Sequence, residues 1–107
     1  MRVEKDSEFS SMVFEDIVVG NSAKLYAHGM IHGNVQVEAG SELYLYGMLN
    51  GYLAVEENAT AYILGVMNGP ILECEGTIEL SGILNTDSEV PERVIKKKNC
   101  FINNKRY

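Results

Sequence analysis

Aliphatic residues recur along this chain in columns with a period of 18, and polar residues alternate with them inside each segment. Leu25, Leu43, Ala61 and Ile78 form one column, and Ala27, Leu45, Ile63 and Leu80 the next. Ile31, Leu49, Met67 and Leu84 make a third, Val35, Leu53 and Ile71 a fourth, and Val37 with Val55 a fifth. Alternation of this kind is the period of a β-strand with one buried face. Between the strands stand the phrases Gly29-Met30-Ile31-His32-Gly33, Gly47-Met48-Leu49-Asn50-Gly51 and Gly65-Val66-Met67-Asn68-Gly69, with a weaker Gly82-Ile83-Leu84-Asn85-Thr86. Their first glycines step by 18, 18 and then 17, a near-fixed period that signals a solenoid. The prediction is an all-β fold, a short right-handed parallel β-helix of about four to five coils.

The ends of the repeat differ from its middle. Stepping back one period from Ala27, Ile31, Val35 and Val37 reaches Phe9, Val13, Ile17 and Val19, all apolar, while Ser11 and Glu15 replace the glycines. That is a degraded first coil. Stepping forward from Ile78 and Leu80 reaches Lys96 and Lys98, so the repeat is expected to end before them. A solenoid domain over residues 1–90 and a basic capping segment over 91–107 follow, with Asp87 or Ser88 capping a short helix from Glu92 to Lys98. The slip in the period falls near Pro70, which lacks the donor a ladder needs. Glu73 there takes a valine position, leaving Leu72 or Cys74 to fill the core.

Charge is segregated along the chain. Up to residue 90 there are 3 bases and 14 acids, a balance of −11; from Pro91 there are 6 bases and 1 acid, or +5. An acidic body repels nucleic acid and attracts a basic protein. No run approaches the ~18 apolar residues of a membrane span, and the charged start from Met1 to Glu8 excludes a signal-peptide core. A cytoplasmic protein is expected, with Cys74 and Cys100 as free thiols and Cys74 in or near the core.

The outward columns hold the candidate chemistry. Tyr26, Tyr44 and Tyr62 share one column, with Glu79 following; Lys24, Glu42 and Thr60 run beside it. At about 4.8 Å per coil the tyrosines form a continuous stripe. Cross-strand packing accounts for such a stripe, and so does a binding face, because tyrosine is enriched at interfaces and carboxylates flank it. His32, Asn50, Asn68 and Asn85 form a ladder suited to structural hydrogen bonds. Met30, Met48, Val66 and Ile83 are expected to form a second core wall rather than an exposed edge. The two histidines, His28 and His32, stand at no recognised ligand or catalytic spacing from acids or cysteines, so neither a metal, a cofactor nor an enzyme active site is expected.

Aliphatic positions alternating with Gly-x-x-x-Gly corners, carried by Leu25, Ala27, Gly29, Ile31, Gly33, Val35 and Val37 and their successors, resemble the polymer-forming bactofilins. The pattern is also similar in style to the β-helical C-terminal domain of the division inhibitor MinC. The resemblance spans roughly Val13 to Thr86; it implies a right-handed β-helix and only suggests self-assembly. The chain departs from bactofilins in its few coils and its basic end. A six-residue recurrence from Val13 through Val55 is similar to hexapeptide acyltransferases, whose left-handed coils the inward pairs Leu43/Leu45 and Val35/Val37 do not suit. In kind rather than motif, the compact acidic body is similar to immunity proteins that neutralise nuclease toxins. The leading expectation is thus a non-enzymatic module that occludes a basic, nuclease-like toxin through Tyr26, Tyr44, Tyr62, Glu42 and Glu79. The alternative is a self-assembling scaffold, and a homo-oligomer is compatible with both.

Overall fold

A computed structural model describes residues 1–106, and every regular element among them is a β-strand. The first turn of the solenoid comprises Arg2–Val3, Ser7–Phe9 and Met12–Val13 (β1–β3). The second is Ile17–Val19, Lys24–Ala27 and Met30–His32 (β4–β6), and the third Val35–Val37, Glu42–Leu45 and Met48–Asn50 (β7–β9). The fourth is Leu53–Val55, Thr60–Ile63 and Val66–Asn68 (β10–β12), and the fifth Ile71–Cys74, Thr77–Leu80 and Ile83–Asn85 (β13–β15). Val94–Lys96 and Phe101–Ile102 (β16 and β17) make a sixth, incomplete turn, and Lys105–Arg106 (β18) folds back antiparallel on β17.

Like strands of successive turns stack in parallel into three sheets. The first sheet runs β1-β4-β7-β10-β13, the second β2-β5-β8-β11-β14-β16, and the third β3-β6-β9-β12-β15-β17-β18. The predicted columns are the registers of these sheets: Leu25, Leu43, Ala61 and Ile78 pair in sequence, as do Ala27, Leu45, Ile63 and Leu80. These side chains are almost wholly buried and belong to a single core, which also holds Ile31, Leu49, Met67 and Leu84. Full burial of each aliphatic side chain contributes roughly 1.5–3 kcal/mol, so the stack is held by its interior as much as by its ladders.

Two kinds of corner bend the chain between sheets. Between the first and second sheets, Ser22, Gly40 and Asn58 occupy equivalent places with φ of 58°, 81° and 64°. This left-handed conformation favours glycine and tolerates asparagine. Between the second and third sheets the requirement is space rather than φ. A Cβ on Gly47 would collide with the carbonyl oxygen of Gly29 one turn below.

The structure revises the expected ends. The solenoid has about six turns rather than four to five. Its basic segment does not leave the repeat and forms no helix over Glu92 to Lys98; it supplies the sixth turn. Val94, not Lys96, pairs with Ile78, because the path out of β14 returns to the second sheet sooner than a full period would. The shortening comes from passing over the first sheet, which ends at β13. The missing length returns in the turn before β17, so Ile102 pairs with Leu84 in the original period. Cys100, in that turn, is fully buried, whereas Cys74 is half-buried against the core.

The slip near Pro70 is a bulge. Leu53 pairs with Ile71 but Ala54 with Glu73 and Val55 with Cys74, so Leu72 is squeezed out into solvent and Cys74 takes the inward place. The following corner is shorter, and Thr60 pairs with Thr77, one position earlier than the period would place it.

Candidate binding face

The tyrosine column lies on the outer face of the second sheet. Strand pairing sets Tyr26 beside Tyr44 and Tyr44 beside Tyr62. Their rings stack with centroids 4.7 Å apart in both pairs and interplanar angles of 13° and 16°. That separation is the strand spacing itself, so the backbone ladder imposes the ring stack. All three side chains are half-buried.

Acids close the column at both ends. Glu8 pairs with Tyr26 at one end, and Glu79 with Tyr62 at the other. Glu79 is ion-paired with Lys97 at 3.2 Å, so its charge is partly offset by the sixth turn. Glu42 lies beside the stack, where its Oε1 accepts a 2.6 Å hydrogen bond from the Tyr44 hydroxyl. This bond, with burial adding to it, pushes the Tyr44 phenol well above the ordinary tyrosine range. The structure therefore brings Tyr26, Tyr44, Tyr62 and Glu42 into one surface, and Glu79 to its edge. Glu8, absent from the sequence reading of this face, adds an exposed carboxylate 3.6 Å from Nε2 of His28.

His28 begins a second aromatic column. Its ring stacks on Tyr46 at 4.8 Å and 7°, and the exposed Leu64 follows. Around the glycine corner the third sheet presents Met12, Met30, Met48, Val66, Ile83 and Phe101 in one unbroken register. These side chains face outward and lie outside the core, which overturns the expected second core wall. Strand alternation is the cause: in Met30-Ile31-His32 and its successors only the middle residue points inward. That alternation was the sequence signal for this face, and the flanking glycines obscured it.

The neighbouring column is polar and directional. The Asn85 amide donates to Oδ1 of Asn68 and the Asn68 amide to Oδ1 of Asn50, each at 2.9 Å, while Asn50 meets Nδ1 of His32 at 3.3 Å. Phe14 closes the column, its ring stacked on His32 at 5.0 Å. The asparagine ladder thus has the structural role its spacing predicted.

Among the described residues, no group of three or more His, Cys, Asp and Glu side chains is placed to hold a metal ion, and no helix is long and apolar enough to cross a membrane. Compared with known proteins, the chain matches no family model, no curated sequence and no solved structure. The class that the fold defines is a parallel β-solenoid.

Proposed function

We propose that this solenoid is a non-enzymatic binding module whose tyrosine face occludes a basic surface of another protein, in the manner of immunity proteins that neutralise nuclease toxins. The observation that carries this reading is the continuous stack of Tyr26, Tyr44 and Tyr62 on an acidic body. Stacked tyrosines offer a large, rigid contact area with few rotors to freeze on binding. Glu42 and Glu8 beside them supply charge that steers a cationic partner toward the face. A second reading, the bactofilin-like scaffold, draws support from the outer columns of the third sheet, uncharged from β3 to β17, across which copies would meet without carboxylate facing carboxylate.

The test of the first reading is a binding titration against a cationic partner recovered by pull-down, or against the product of an adjacent gene where that product is basic. Wild type is compared with Tyr44→Ala and Glu42→Lys. Tyr44→Ala is expected to cost about 2 kcal/mol or more as the centre of the stack. Glu42→Lys is expected to slow association and flatten its salt dependence. Unchanged affinity in both variants rejects the tyrosine face as the interface.

A further inference from the structure

Large exposed apolar side chains are concentrated on the third sheet and its glycine corner. Met12, Phe14, Tyr46, Leu64, Ile83 and Phe101 lie there, six of the nine such side chains among the described residues. Met12 is 54% and Phe14 72% exposed. The outward columns of this region, from His28 to Ser81, Met12 to Phe101 and Phe14 to Asn103, hold sixteen side chains, none of them Asp, Glu, Lys or Arg. Only at the far end do two of them reach a charge, at Lys97 beside Ser81 and at Arg106 beside Phe101. In a chain with 9 bases and 15 acids, sixteen neighbouring side chains without a charge are a marked segregation. An apolar column flanked by uncharged polar side chains, on an otherwise charged surface, marks an interaction site.

We infer that this face docks a second copy of the same chain, with the two solenoid axes antiparallel. The occupant follows from electrostatics. Each copy carries a net charge of −6, so two copies repel wherever their acidic surfaces meet. The charge-free face is where they approach without placing carboxylate against carboxylate. A basic partner gains nothing there, and an anionic lipid surface is repelled by the rest of the molecule.

The orientation follows from the two ends of the same sheet. Asp16 and Glu15, the latter ion-paired with the Met1 amino group at 2.8 Å, directly follow Phe14 at the β3 end, while Lys105 and Arg106 form β18 at the other. A two-fold axis across the sheet sets the acidic end of each copy against the basic end of its partner, twice over. A parallel arrangement sets acid against acid and base against base. Sixteen side chains are somewhat below the roughly 20–30 residues per side of a stable interface, so the dimer is concentration-dependent. It leaves the tyrosine column on the second sheet uncovered at its centre, and its success or failure is independent of the proposal for that column.

Sedimentation velocity over a concentration series, at low and high salt, tests the inference on the wild-type protein. The expected result is a monomer converting to a dimer, with no larger species. Met48→Glu, which places a carboxylate at the centre of the face, is expected to raise the dimer dissociation constant ~30-fold or more while leaving the melting temperature near that of wild type. Glu15→Lys and Arg106→Glu are each expected to weaken the dimer, and the double variant to recover it. A wild-type protein that stays monomeric at several hundred micromolar overturns the inference, even if Met48→Glu fails to fold. So does a dimer indifferent to both Met48→Glu and the charge exchange. A monomer that floats with phosphatidylcholine vesicles would assign the face to lipid instead.

Discussion

The Tyr44 hydroxyl donates to the Glu42 carboxylate two residues earlier on the same strand, at 2.6 Å, while its ring lies between those of Tyr26 and Tyr62. The bond ties the aromatic column to the one beside it and holds the phenol proton. Because the folded pKa of Tyr44 is raised, the folded protein keeps this proton to higher pH than the unfolded chain, whose phenols ionise near pH 10. The associated stability is complete below about pH 10 and is lost as pH rises through the folded value. An alkaline titration followed by phenolate absorbance should show a lagging tyrosine, and Glu42→Gln should bring it back toward the others. A titration curve that Glu42→Gln leaves unchanged contradicts the assignment.

Leu45 tests the interior. It is fully buried, between Ala27 and Ile63 in its column. A narrow interior fixed by three ladders collapses poorly around a hole, so Leu45→Ala should cost about 2–5 kcal/mol by chemical denaturation. A loss under about 1 kcal/mol is too small for a filled core site.

Ser41 offers a change of opposite sign. Its hydroxyl is buried and finds no hydrogen-bond partner among the described residues, and the equivalent places one turn away are Ala23 and Ala59. Ser41→Ala should therefore raise stability by about 1 kcal/mol, since it removes a desolvated polar group without changing the shape of the column. A lowered denaturation midpoint would show that the hydroxyl is satisfied in solution.

Gly47 tests the corner. Its missing side chain is what lets the backbone of one turn approach the Gly29 carbonyl of the next. Gly47→Ala should destabilise the fold by about 1–3 kcal/mol through overpacking. A melting temperature equal to that of wild type would mean that the corners stand farther apart than described.

The C-terminal turn tests the capping role. Removing residues 91–107 takes away β16 to β18 and lays bare the ladder edges of β14 and β15 together with Ile78 and Leu84. Unpaired edges over an open core template association, so the truncated protein should form large species in light scattering. A soluble monomer of undiminished stability would show that the segment is dispensable.

Where the period holds, the hydrophobic pattern alone places the residues correctly: Phe9, Val13, Ile17 and Val19 fall in the first two turns opposite Ala27, Ile31, Val35 and Val37. It fails where the path length changes. Val94 could not be matched to Ile78, because a turn that omits one sheet is shorter than the repeat that defines the columns. The same holds in miniature at Leu72, where one bulged residue is followed by a shortened corner and only the net step shows in the glycine spacing. Of the candidate site, the stack of Tyr26, Tyr44 and Tyr62 was legible because identical residues recur in phase. The ion pair of Glu79 with Lys97 was not, since it joins residues on the far side of that altered path.

The unbroken period from Leu25 to Leu43, and again from Leu43 to Ala61, has a consequence for the size of the molecule. Each of these turns offers its neighbours the same two surfaces, so none of them records how many turns should exist. In a nearest-neighbour stack the stability rises with each copy added and nothing in the middle says when to stop. The count is written only at the margins, in the degraded first turn and in the reversal at Lys105–Arg106. Duplication or excision of one whole turn is therefore a change that the middle of the protein has no means to detect.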